Sequence, residues 1–100
     1  MQELLQQVNV WALKQAYHQT LREVLSHIDI VKRLDRAMAI LTTDSGYEIT
    51  VDSAGVFTVQ SPNDTYTITG QTCSCPDAQT LCKHRLCIRL ILCAVERQAT

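Results

Sequence analysis

A chain of 100 residues, 46% hydrophobic and 19% charged, has globular composition and makes one small domain, with room for an appended helical segment but not for a multidomain assembly. A formal net charge of −1 and a pI of about 6.2 exclude a protein whose global field draws nucleic acid, so any such contact needs a local patch. No apolar run approaches the roughly 20 residues of a membrane span, and Met1-Gln2-Glu3-Leu4 lacks the basic and apolar regions of a secretory signal. An intracellular protein, cytoplasmic or nuclear, is expected.

Residues 2–42 contain no Gly and no Pro. Apolar residues recur at Leu4, Val8 and Trp11, and then at Tyr17, Leu21, Val24, Ile28, Val31, Leu34, Met38 and Leu41. From Tyr17 to Val31 the steps alternate between four and three, which makes a helical stripe. Ser26 followed by Asp29 suits the start of a second helix. The segment is therefore one long helix or two shorter ones broken near Ser26, and the capping signal favours two. The stripe needs a cover, which either the rest of the chain or the same segment of a second chain provides; a homodimer through these helices is expected.

Helix formation ends near Thr42, ahead of the turn cluster Thr43-Asp44-Ser45-Gly46. The period then becomes two. Tyr47, Ile49 and Val51 alternate with Glu48, Thr50 and Asp52, and Asp52-Ser53-Ala54-Gly55 reads as a turn. Val56 to Val59 is a second strand, Ser61-Pro62-Asn63-Asp64 a second turn, and Thr65 to Thr69 a third strand rich in β-branched residues. Arg85 to Gln98, again without Gly or Pro, is a helix whose apolar residues cover more than one face. The expected fold class is α+β: an N-terminal helix or helix pair (residues 1–44), then a three-stranded antiparallel sheet, a zinc-binding loop and a C-terminal helix (residues 45–100).

Five cysteines in a short chain without a secretory signal point to metal ligation more than to disulfides. Four residues stand out. Cys73 and Cys75 form one pair with a single residue between them, and Cys82 and His84 form another. In extended backbone, residues two apart lie on one face, so each pair can turn both its ligands toward one ion. Pro76 stiffens the exit from the first pair, and the loop through Asp77-Ala78-Gln79 lets the chain return. Three thiolates and an imidazole suit one tetrahedral Zn2+. The competing readings are reduced cysteines in a small core, a disulfide pair, or an iron–sulfur cluster; each accounts for fewer of the four residues or fits the His ligand less well. Cys87 and Cys93 read as small apolar packing residues, and His18 and His27 as helix residues unconnected with the metal.

The stretch Cys73-Ser74-Cys75-Pro76-Asp77, then Cys82-Lys83-His84, resembles the SWIM-type zinc finger, whose pattern is Cys-x-Cys, a variable loop and Cys-x-His. Val59-Gln60-Ser61 and Tyr66-Thr67-Ile68 look like the strands that lead into the family's first ligand pair, so the resemblance covers roughly residues 47–95. It implies zinc ligation by Cys73, Cys75, Cys82 and His84, a small sheet with a C-terminal helix, and binding to DNA or to another protein. Such fingers occur in chromatin-remodelling ATPases, transposases, and ubiquitin-pathway and recombination-associated proteins. This chain departs from the larger relatives in carrying no ATPase or nuclease domain, and residues 1–42 take no part in the resemblance.

Lys83, Arg85 and Arg89 sit at the start of the last helix, as candidate contacts to phosphate or to a protein partner, and Lys32, Arg33 and Arg36, mixed with Asp29 and Asp35, read as a solvated face. No glycine-rich phosphate loop and no triad spacing is present, so no enzyme is expected. The two functional readings are a DNA-binding or DNA-associated accessory protein and a protein–protein adaptor.

Overall fold

The computed structural model describes residues 2–42, 46–70, 72–75 and 82–99. The expected turn residues Thr43 to Ser45 and the loop 76–81 lie outside the described residues. The fold is α+β: a short strand β1 (Gln2–Glu3), helices α1 (Val10–Val24) and α2 (Ile28–Thr42), strands β2 (Glu48–Val51), β3 (Phe57–Gln60), β4 (Thr65–Thr69) and β5 (Thr72–Cys73), and helix α3 (Lys83–Ala99). The chain breaks near Ser26 into two helices, with the His27 N–H donating to the Val24 carbonyl at 2.8 Å.

The sheet has five antiparallel strands in the order β1-β2-β3-β4-β5, rather than the three expected. The two additional strands are two-residue edges whose pairing is set by tertiary contacts, which a period of two over so short a run cannot reveal. The N-terminus is the second difference. Leu4, Val8 and Trp11 do not share one helix: Gln2 and Glu3 pair with Val51 and Thr50, the Leu4 N–H donates to the Ile49 carbonyl at 2.8 Å, and Leu5–Gln7 form a 3-10 turn. Helix α1 starts only after Asn9, whose side-chain oxygen accepts from the Ala12 N–H at 2.7 Å and so satisfies one of the unpaired donors of the first turn. That phase buries Ala12, Leu13, Ala16, Thr20 and Val24 and leaves Trp11 exposed.

The register puts Ile49, Val59 and Tyr66 on one face of the sheet, with Val51, Phe57, Ile68 and Cys73 beside them. Ile49, Val59 and Ile68 are buried, whereas Glu48, Gln60, Thr65, Thr67, Thr69 and Thr72 on the other face are exposed. The helices cover the apolar face. Helix α3 packs against both α1 and α2 and touches β4, which explains why its apolar residues run round more than one side. Leu86, Cys87, Ile88, Leu90, Ile91 and Ala94 are all buried, in one core cluster with residues of α1, α2 and the sheet. The helical stripe is thereby largely covered within the chain: Leu34 is fully buried, and Tyr17, Leu21, Val31, Met38 and Leu41 pack against the core. No helix among the described residues is long and apolar enough to cross a membrane.

Tyr17 on α1 donates its hydroxyl to Asp35 Oδ1 on α2 at 2.5 Å. That hydrogen bond, with burial and the carboxylate charge behind it, raises the Tyr17 phenol above its ordinary value. A raised phenol contributes stability that is fully present below the unfolded value of about 10 and is lost as pH rises through the folded value. Tyr17→Phe is expected to lower stability by about 0.5–1 kcal/mol at neutral pH. In denaturant melts the difference from the parent should shrink as pH is taken above about 10; a constant gap at every pH would rule out the hydrogen bond as its source.

Candidate metal centre

Two local devices bring the first ligand pair to the core. Gly70 turns β4 into β5 with φ 58°, a left-handed conformation that glycine enters without steric penalty. Ser74 then continues the hairpin: its N–H donates to the Thr67 carbonyl at 3.0 Å, and its Oγ accepts from the Thr67 N–H at 2.9 Å. With Ser74 bound to the strand, Cys73 is set opposite Ile68 on the apolar face, and Cys75 follows at the two-residue spacing. The second pair opens α3. The Cys82 carbonyl accepts from the Leu86 N–H at 3.0 Å, so Cys82 stands at the cap position and His84 in the first helical turn.

The four side chains converge. Cys73, Cys75 and Cys82 Sγ and a ring nitrogen of His84 all lie within 4.8 Å of one another. Cys73 Sγ is 3.9 Å from His84 Nδ1. Around a tetrahedral zinc, with thiolates at about 2.3 Å and imidazole at about 2.0–2.1 Å, neighbouring donor atoms are about 3.4–3.8 Å apart, so small movements suffice for the donors to share an ion. Cys82 and His84 are buried, Cys73 and Cys75 half-buried. All five cysteines are free thiols.

Electrostatics make the same point. Burial pushes the Cys73 thiol up to about 12; the Cys75 backbone opposes the rise, and the Cys75 and Cys82 thiols add to it. A metal ion binds thiols as thiolates, so its binding at such a site is coupled to proton release. The set fits a soft or borderline divalent ion far better than an oxygen-seeking one.

Tyr66, whose place in a β-branched strand gives no sign of a role at the centre, stacks on the His84 ring with centroids 4.3 Å apart and planes at 30°. It thereby fixes the imidazole's plane. The sign comes only with Gly70 read as a hairpin turn, since Tyr66, Ile68 and Cys73 then share a face. Arg33 and Arg36 of α2 also reach the edge of the centre.

Lys83, Arg85 and Arg89 do not share one surface. Lys83 lines a groove at the metal centre together with Cys75, Cys82 and His84. Arg85 and Arg89 line a different groove, between α3, α1 and the sheet, where Arg89 Nη2 pairs with Glu23 Oε2 at 2.7 Å. Cys87 is buried and donates to the Ala37 carbonyl at 3.6 Å, and Cys93 donates to Gln19 Oε1 at 3.7 Å; neither is among the four residues that converge. His18 and His27 are exposed.

The chain matches no protein-family model, no characterised protein and no solved structure.

Proposed function

We propose that this chain is a SWIM-type zinc finger preceded by a helical segment, in which Cys73, Cys75, Cys82 and His84 hold one structural zinc ion and the folded surface binds DNA or serves a DNA-associated assembly. The observation that carries the reading is the convergence of four thiol and imidazole donors at the junction of sheet and helix. Three thiolates and one imidazole complete a tetrahedron, which leaves no position for a reactive water and supports a structural rather than a catalytic centre. Bound there, the ion would tie the end of the sheet to the start of α3. Thiolate ligands of this kind persist in a reducing compartment, which fits the cytoplasm or the nucleus.

Nucleic acid is favoured by cations gathered at the centre, Lys83 with Arg33 and Arg36. A few phosphate contacts give weak, salt-sensitive and sequence-tolerant binding. The adaptor reading has its own support in the apolar residues left exposed on the helices, Trp11 at 68%, Ile28 at 65% and Leu25 at 63%. Fluorescence anisotropy with short single- and double-stranded DNA separates the two. Binding at low salt that weakens linearly with the logarithm of salt concentration is expected; no binding at low salt would leave the adaptor as the better reading.

A further inference from the structure

Among the described residues, the large apolar side chains left in water are concentrated at the two ends of α1. Val10 and Trp11 stand at its start, 52% and 68% exposed, and Leu25 and Ile28 at its end, 63% and 65% exposed. Leu25 lies just past the last helical residue and keeps helical backbone angles, so it stays in phase with α1. Between these ends Lys14, His18 and Arg22 are exposed. At about 100° per residue, Trp11, Lys14, His18, Arg22 and Leu25 fall within a quarter-turn of one another. They face away from the buried Ala12, Leu13, Ala16, Thr20 and Val24. Their spacing runs in steps of three, four, four and three, which is that of a seam between packed helices.

The charge on this face has one sign. Glu23 is the one acid in α1; it lies off the face, and Arg89 holds its carboxylate at 2.7 Å. On α2, Asp35 accepts from Tyr17, and Asp29 follows Ile28 in the first turn. His18 sits edge-on to Tyr17. Among the described residues neither Lys14 nor Arg22 has an ion pair.

This pattern selects its occupant. Aliphatic Leu25 and Ile28 offer nothing to a phosphate backbone. A helix that lies on a membrane keeps its cations to the polar side of a continuous apolar face, whereas here they occupy the middle of the seam. A second copy is opposed by charge. Pairing two α1 helices by a two-fold axis sets Lys14 against Lys14 or Arg22 of the other copy, and His18 against His18. A helix with apolar residues at the ends of its contact and carboxylates in the middle meets every feature of the face.

We infer that the Trp11–Leu25 face of α1 docks an acidic amphipathic helix of a protein partner, whose apolar side chains cover Trp11, Leu25 and Ile28 and whose carboxylates meet Lys14 and Arg22. The inference goes beyond DNA binding and names where a partner within a DNA-associated assembly attaches. The face is about 21 Å long, which matches a partner segment of about four turns. A single helix laid on a convex surface buries little area, so the docking is weak and reversible.

The chain has one tryptophan, Trp11, so its fluorescence reports on this face directly. The test titrates the metal-loaded full chain with a synthetic peptide that carries leucines at heptad a and d positions and glutamates elsewhere. Two comparison peptides have the same composition scrambled, or lysine in place of glutamate. The acidic peptide should shift Trp11 emission to the blue and move backbone amide NMR signals between Val10 and Ile28. Leu25→Ala should weaken binding about tenfold, and Arg22→Gln about threefold. Lys32→Gln, on the solvent side of α2, should change nothing, and metal content and melting temperature should hold in all three variants. No blue shift and no NMR change up to about 1 mM peptide would overturn the inference. Equal binding of either comparison peptide would overturn it too, as would unaltered binding in both Leu25→Ala and Arg22→Gln. A protein dimer in sedimentation that buries Trp11 would give the face to a second copy, and DNA that displaces the peptide from it would give the face to nucleic acid.

Discussion

Removing the metal from the loaded protein with a chelator is expected to abolish its cooperative thermal transition and most of its helical circular dichroism, and one equivalent of zinc should restore both. The four donors come from the end of the sheet and the start of α3, and lie within 4.8 Å of one another. Structural zinc sites of this type contribute on the order of 10 kcal/mol of apparent binding energy, much of it coupled to folding. Net stabilities of small domains are about 5–15 kcal/mol, so removal of the ion takes away most of the margin. The damage should spread beyond the candidate centre, because Cys82 and His84 stand at the start of α3, which also carries the buried residues that α1 and α2 pack against. His84→Ala should fail in the same direction, with Tyr66 deprived of its stacking partner as well. If the spectrum and the melting curve were unchanged after metal loss verified by mass spectrometry, the structural role of the centre would have to be given up.

Leu90→Ala in the loaded protein should cost about 3 kcal/mol, within the range measured for buried leucines. For a domain of this size that lowers the melting temperature by roughly 10–20 °C. Leu90 is fully buried in the middle of α3 and belongs to a core cluster drawn from three helices and the sheet, so a cavity there is expected to persist rather than close by the movement of one element. Leu92, two residues away on the same helix, is 49% exposed. Leu92→Ala should stay within about 0.5 kcal/mol of the parent. Equal effects of the two substitutions, measured by thermal melts at matched metal content, would contradict the placement of α3 between the helical layer and the sheet.

The four candidate metal donors were legible because their chemistry is local. A single residue separates the members of each pair, a spacing that puts Cys73 and Cys75 on one face of extended backbone; the second pair instead straddles the start of α3, with His84 in its first helical turn. Helix α2 and strands β2, β3 and β4 were legible for a similar reason, since each buries one face and prints its period on the sequence. Residues 2–9 were not. Leu4, Val8 and Trp11 carry helical spacing, yet Gln2 and Glu3 are claimed by β2 and the helix waits for the Asn9 cap. The pairing partner that decides this lies far along the chain, where no local period can report it. Arg33 and Arg36 were hidden in another way. As residues of α2 they form part of a mixed-charge surface, and only the packing of α2 on α3 turns them toward the thiols.

The turn at Gly70 and the start of α3 have a kinetic consequence. Cys73 and His84 are 11 residues apart, whereas β1 joins Gln2 to Val51. The entropy lost on closing a loop grows with the logarithm of its length, so the short loop closes more readily than the long one. A metal bound to the four donors while the chain is still unfolded would fasten β5 to the head of α3 at an early stage. The N-terminal strand, with half the chain between it and its partner, would then be expected to dock late, on a sheet already formed.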